Sequence, residues 1–331
     1  MSLLILRAPE ISDLLPMSEC ITVLDQAMRA FSAGDVATPA RIIAPLGGTD
    51  GSDQDFFILM PGEMKSPACF GAKIVSLHPG NPAQGRPAVQ GFVTLFERSS
   101  GAPVALMDGA RITAIRTAAA SALATRELAR HDAASHGIFG TGVQAVAHLD
   151  AISCVRKISK TLVWARDADK ARLFAQLQAR RTGMTVEAVD DPAEAATCDI
   201  ISTVTNASQP VVHGEWLVPG AHLNLVGAHE PAHRELDSDG VARSSVYVDS
   251  RQGALSEAGD LLIPISEGRF GPQHIIGEIG EVLLGTVPGR TENQQITLYK
   301  SLGIVAQDLF AAEHILREAL GKAKGQVVEF P

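Results

Sequence analysis

Apolar positions along the chain follow two rhythms. In the first third, "FFILMPG" (56–62), "CFGAKIVSL" (69–77) and "VQGFVTLFE" (89–97) are short runs rich in β-branched and aromatic residues. The turn "SSG" (99–101) leads into a further run, "PVALMD" (103–108). Such runs read as strands, and together they predict an antiparallel sheet. Ahead of them, Ile21, Leu24, Met28 and Phe31 recur at helical spacing within 18–33, with Ser18 placed to cap that helix. "GARITAIRTAAASALATRELA" (109–129) is alanine-rich and predicts one long helix, alanine being the best helix former.

Beyond it the pattern becomes an alternation. "SHGIFG" (135–140), "TLVWA" (161–165), "MTVEAV" (184–189), "DIISTVT" (199–205), "HLNLVGA" (222–228) and "SVYVDS" (245–250) are apolar runs separated by helical or polar stretches. That is the signature of a doubly wound parallel α/β sheet. Near the end, "ITLYKS" (296–301) reads as a strand and 302–320 as an amphipathic helix. This tail is expected to return and pack on the first sheet.

The first strand of the alternation runs into Gly140-x-Gly142-x-x-Ala145, which opens a helix. In that context the glycines carry a mechanism. Gly140 permits a tight turn, Gly142 lets a pyrophosphate approach the backbone, and Ala145 lets helix and strand pack closely. Free N–H groups at the helix N-terminus receive the phosphates. The candidate cofactor contacts are thus Gly140, Thr141, Gly142, Val143 and Gln144 in the turn. Thr203, Val204, Thr205, Val226 and Gly227 join them at the ends of neighbouring strands, with Thr117 in the long helix. The end of the second strand selects the cofactor, since NAD enzymes place an acid there for the ribose hydroxyls. Here Ala165 takes that position, followed by Arg166 and then Asp167. A small residue followed by arginine favours NADPH, and the late Asp167 leaves NADH open.

Composition narrows the partners. The chain has 331 residues, enough for two domains or one large one, and a net charge of −9. An acidic balance argues against nucleic acid, which wants a basic face, and against anionic lipid. No apolar run approaches a membrane span, and "MSLLILRAPEISD" is too short and lacks the basic start of a signal peptide. Cys20, Cys69, Cys154 and Cys198 are scattered without a C-x-x-C, which reads as reduced thiols in a cytoplasmic protein.

"HEPAH" (229–233) literally matches the zinc motif H-E-x-x-H. That motif works because both histidines share one helix face. Pro231 lies between them and breaks such a helix. The segment also follows the strand "HLNLVGA" directly, which puts it at the ligand crevice of an open α/β sheet. It reads as a loop at the nucleotide site, and no metal is expected.

Several segments resemble the ornithine cyclodeaminase/μ-crystallin family: "PARIIAP" (39–45), "GAKIVSLHPGN" (71–81), "ITAIRTAAASALA" (112–124), "FGTGVQA" (139–145), "VYVDSRQGALSEAGDLL" (246–262) and "ITLYKSLG" (296–303). The resemblance covers nearly the whole chain. It implies an α/β fold with a central Rossmann domain over 119–299. An α+β substrate-binding and dimerisation domain would be built from 1–118 and 300–331, giving a homodimer. It also implies a small α-amino or α-imino acid as substrate. By motif match, Arg41, Lys73 and Arg116 would hold its carboxylate, with Gln90 as a further substrate contact. The chemistry is sensible, because guanidinium groups pair with carboxylates bidentately. Lys73 sits in an otherwise apolar run, where a buried ammonium needs an anion or a cavity.

His229 occupies the position where ornithine cyclodeaminases carry an aspartate. The resemblance is greater to the ketimine reductases, which lack that acid. The expected reaction is therefore NAD(P)H-dependent reduction of Δ1-pyrroline-2-carboxylate or Δ1-piperideine-2-carboxylate, with Lys73 or His229 supplying the proton. The alternatives are an ornithine cyclodeaminase, an amino-acid dehydrogenase acting on a linear oxo acid plus amine, and a protein that binds NADPH and a small ligand without turnover.

Overall fold

The computed structural model describes residues 2–47 and 55–329. The chain divides into two compact units, Met1–Arg116 with Ile304–Pro331, and Thr117–Gly303. Helix Gly109–Leu128 carries the chain from the first into the second. Every residue from Ala114 to Thr125 is buried, which explains the alanines: a helix packed on all sides needs small side chains. Its C-terminal carbonyls are capped by two arginines. Arg156 donates to the carbonyls of Thr125, Arg126, Ala129 and Arg130, and Arg290 to that of Leu128. Cations at this end also suit the helix dipole.

The first unit contains β1 (Ser2–Leu6), β2 (Val36–Ala37), β3 (Ile42–Leu46), β4 (Asp55–Met64), β5 (Cys69–Leu77), β6 (Val89–Glu97) and β7 (Pro103–Asp108). With the last strand, Gln326–Glu329, they form one sheet in the order Gln326–Glu329, β1, β7, β6, β5, β4, β2, with β3 also on β4. The pairings are antiparallel, as expected, except that β1 runs parallel to β7. β1 and β7 lie far apart in sequence, so no tight turn dictates their direction. The N-terminal helix Met17–Ser32 has Pro16 at its N-cap, two residues before the expected cap Ser18. Proline there fixes the entry angle without losing a needed N–H.

Helix Val305–Gly321 lies against β4, β5 and β6 and against helix Met17–Ser32. It is not the simple amphipathic helix that its sequence suggests, since Val305–Ala312 are buried on every side. Two sheet glycines admit it. A Cβ on Gly62 would lie 2.7 Å from a methyl of Val305, and one on Gly71 3.0 Å from Leu309.

The second unit contains β8 (Ser135–Phe139), β9 (Lys160–Trp164), β10 (Val186–Ala188), β11 (Ile200–Thr203), β12 (His222–Leu225), β13 (Ser245–Val248), β14 (Ile275–Glu278) and β15 (Thr297–Lys300). All neighbours are parallel, in the order β10-β9-β8-β11-β12-β15-β13-β14. This is the doubly wound sheet expected, with helices such as Val143–Val155 and Ala168–Thr182 packed on an apolar layer of Ile138, Leu149, Val163 and Phe174. β15 departs from expectation. It does not travel with the tail but inserts between β12 and β13, with all four residues buried. A central parallel strand is covered on both faces, so it reads as a run of buried residues whichever layer it belongs to. Among the described residues no helix is long and apolar enough to cross a membrane.

Candidate active site: a cation cluster and a nucleotide turn

In the first unit, three buried charges converge. Lys73 on β5 and Arg116 in the long helix reach the same carboxylate oxygen, Oδ1 of Asp308. Lys73 Nζ lies 3.4 Å from it and Arg116 Nε 3.0 Å. Arg116 Nη1 also donates to Gln307 Oε1 at 3.0 Å. Lys73 and Arg116 are about 95% buried and Asp308 fully so. The second carboxylate oxygen, Asp308 Oδ2, is buried without a partner. Burial lowers the Lys73 pKa to about 8. Asp308 opposes that shift, and the positive charges of Arg116 and Arg41 add to it. Two cations share one carboxylate, so the cluster keeps a net positive charge, the condition for receiving a second carboxylate.

Arg41 is half-buried just ahead of β3, and its charge is felt at Lys73. Gln90 is exposed on β6 opposite Ser76, three positions from Val93, the partner of Lys73. It makes none of the bonds of the cluster. Asp308 and Gln307 were not anticipated. Their signal was an Asp and a Gln inside "GIVAQDLFAA", polar groups set among apolar ones.

In the second unit the strand order reverses between β8 and β11, the crevice where open α/β sheets take their ligands. The glycine turn sits there. Gly140 has φ +114°, a value side-chain-bearing residues avoid, and a Cβ on it would lie 3.0 Å from the carbonyl of Val204. The turn is pinned by Gly140 N–H donating to Trp164 and Val204 N–H donating to Phe139. Around Gly142 the space is open, and no side chain caps the helix Val143–Val155 that it begins. Its first-turn N–H groups are left to an anion. Val143 is two-thirds exposed beside them, and Thr141 and Gln144 flank the turn half-buried. These features fit a dinucleotide.

At the end of β9, Ala165 offers no carboxylate. The Asp167 carboxylate accepts the N–H of Lys170 at 3.1 Å, capping helix Ala168–Thr182. Arg166 between them is exposed and bonds to no described residue. Thr117 is buried in the long helix.

The strand ends around residues 203–205 and 226–228 are tied together by a residue that sequence reasoning missed. Glu235 is fully buried and accepts from Thr203 Oγ1, from the N–H and Oγ1 of Thr205, and from the N–H groups of Gly227 and Ala228, all at 2.7–3.2 Å. Burial and then the nearby Asp260 raise its pKa. Asp260 accepts from the N–H groups of Glu235 and Leu236 and pairs with Lys300 at 2.8 Å, both partners fully buried. Lys300 also donates to the carbonyl of Ala228. This accounts for "GDLL": Asp260 is the staple, and Gly259 is required because a Cβ there would meet the carbonyls of His233, Glu230 and Pro231. Val226 continues β12, its N–H donating to Thr203.

His229 follows Ala228 at once. It is exposed, with Nδ1 3.0 Å from the carbonyl of Gly227. Residues 229–233 form a turn rather than a helix, so His229 and His233 share no helical face.

The ornithine cyclodeaminase/mu-crystallin family model matches residues 1–323. The Delta(1)-pyrroline-2-carboxylate reductase of Bacillus cereus is 37% identical over 330 residues, 99% of this chain and 100% of that protein. The ketimine reductase mu-crystallin of Mus musculus is 36% identical over 93% of this chain and 95% of its own. Among solved structures, the Thermococcus litoralis Delta(1)-pyrroline-2-carboxylate reductase in complex with NADH and L-proline superposes with a TM-score of 0.93, at 37% identity over 98% of this chain and 99% of that one. The chain belongs to the ornithine cyclodeaminase/mu-crystallin family.

Proposed function

We propose that the protein reduces a cyclic imino acid to a cyclic L-amino acid at the expense of a reduced nicotinamide. Δ1-Pyrroline-2-carboxylate would give L-proline, and Δ1-piperideine-2-carboxylate would give L-pipecolate. The observation that carries this reading is the buried, net-positive cluster of Lys73 and Arg116 on a single oxygen of Asp308. It rests equally on likeness to proteins named for reduction of such imines, one of them solved with NADH and L-proline.

The turn Gly140–Gln144, with the strand ends Ala165–Asp167, Thr203–Thr205 and Val226–Gly227, would hold the dinucleotide. When bound, the reduced nicotinamide supplies the hydride that the imine carbon accepts. The chain's own residues do the rest. Arg116, Lys73 and Arg41 anchor the substrate carboxylate and fix which face of the C=N bond is presented. A protonated imine is the better electrophile, and Lys73, with its pKa near 8, is placed to supply that proton. His229, exposed at a strand end, is the alternative donor. Gln90 is assigned as a further substrate contact. Overall, imine, reduced nicotinamide and one proton give the amine and oxidised nicotinamide.

NADPH is assigned as the preferred cofactor and NADH as usable. Asp167 spends its carboxylate on a helix cap, and Arg166 is left exposed for a 2′-phosphate. The exposed apolar residues Ile42, Ile43, Leu46, Phe57 and Phe92 are assigned to contact with a second copy of the chain. Phe57→Asp should then lower the molecular mass in solution.

The test is NADPH and NADH oxidation with five- and six-membered cyclic imino acids. Release of ammonia from L-ornithine without net NADPH oxidation would overturn the reading.

A further inference from the structure

The cation cluster contains one anion, Asp308, which neither binds the substrate nor donates the proton in the reaction above. We propose that Asp308 is the positioning residue of the reduction: it acts through Lys73, holding that side chain charged and aimed so that it can deliver its proton. This rests on the imino-acid reading above.

The geometry is specific. Asp308 lies in the first turn of helix Val305–Gly321, where the helix dipole favours a carboxylate. The helix reaches β5 only because Gly62 and Gly71 leave room for it. Asp308 places one oxygen between Lys73 Nζ and Arg116 Nε, and its other oxygen stays buried and unpaired. A carboxylate serving only as a staple would engage both oxygens, as Asp260 does.

The charged and titratable groups around Lys73 are few. Arg116 and Arg41 both oppose its charge, and Asp308 alone supports it. Cys20, packed near Arg116 and Asp308, is a thiol pushed far up by burial and stays neutral. Gln307 carries no charge. Removing the Asp308 charge therefore leaves burial and two cations all acting against the Lys73 ammonium.

The expected signature separates kcat from KM. At pH 6, where Lys73 stays charged in both forms, Asp308→Asn takes no anchor from the substrate carboxylate and removes a competing negative charge, so KM for the imino acid should not rise there. kcat should fall about tenfold or more above pH 7, and much less at pH 6, on the scale of a lost charged hydrogen bond. In the wild type the basic limb of kcat/KM, which reports the free enzyme, should lie near pH 8, and in Asp308→Asn it should move to lower pH. Asp308→Glu keeps the charge and should keep the limb. Where the Asn variant does not fold, Asp308→Ser serves as the second neutral variant.

An unmoved basic limb, or a loss shared equally by kcat and KM at every pH, would show that Asp308 is structural. If the wild type turns over no imino acid, the functional reading fails instead. Titration of the Lys73 ammonium by NMR then decides the inference alone, and an unchanged Lys73 pKa in Asp308→Asn would overturn it.

Discussion

Each unit of the chain buries a lysine against an aspartate, and the two pairs are built differently. In the second unit, Lys300 and Asp260 are the more fully bonded pair: both Asp260 oxygens are engaged, and Lys300 also binds the carbonyl of Ala228. In the first unit, Lys73 has one long contact of 3.4 Å, shares its acceptor with Arg116, and leaves Asp308 Oδ2 unpaired. A buried charge with all partners in place is a staple. A buried charge with partners missing is held at a cost in stability, which natural selection tolerates where a ligand completes the set.

Replacing the lysines separates the two roles. Lys73→Met should cut kcat/KM for imine reduction about a hundredfold to ten-thousandfold, the range for loss of a general acid. It should not lower the melting temperature. The pKa of Lys73 in the fold lies below the ordinary lysine value, so its charge opposes folding. That cost is full below about pH 8 and disappears as pH rises past the unfolded value. Methionine removes it. Lys300→Met should do the reverse, leaving Asp260 buried without its cation and lowering stability by about 3–5 kcal/mol, measured by denaturant unfolding. Equal melting losses in the two variants would erase the distinction.

Much of this was readable from the sequence, for identifiable reasons. Strands β5, β6 and β7 lie where their apolar runs put them, because local composition and turn residues decide such elements. The glycine turn was legible because a positive φ at Gly140 leaves only one choice of residue. Lys73 and Arg116 stood out as charges inside apolar or alanine-rich elements. Their partner Asp308 did not, since it comes from more than 190 residues away and only the fold brings it near. Glu235 lies in the same loop as "HEPAH", where only residues 229–233 match a known motif. A buried carboxylate whose partners are mainly backbone N–H groups leaves no pattern of matching charges. The misplacement of β15 has the same origin: periodicity says that a strand is buried but not in which sheet.

The comparison extends to groups buried in a neutral state. His136, His148 and His222 are fully enclosed in the second unit, and burial drives their pKa values down to about 3, 4 and 3. Each bonds to a neutral partner, Ser202, Ser121 or Thr297. The folded state thus binds fewer protons than the unfolded chain between those values and the ordinary histidine value near 6.5. Stability should be full above that value and fall steadily as pH drops through the window toward 4. His222→Gln should flatten part of the slope, and an equally steep slope would remove His222 from the account.

The smallest effect belongs to the opposite extreme, a charge with no partner and no burial. Arg166 bonds to no described residue, so replacing it costs the fold almost nothing. If it receives a 2′-phosphate, Arg166→Ala should raise KM for NADPH roughly tenfold, the scale of one charge-assisted bond at an exposed site. KM for NADH and the melting temperature should stay as they are. Cofactor KM values that shift together would place Arg166 on a part common to both dinucleotides. No shift in either would return the choice of cofactor to Asp167, whose carboxylate would then have to leave its helix cap to reach a ribose.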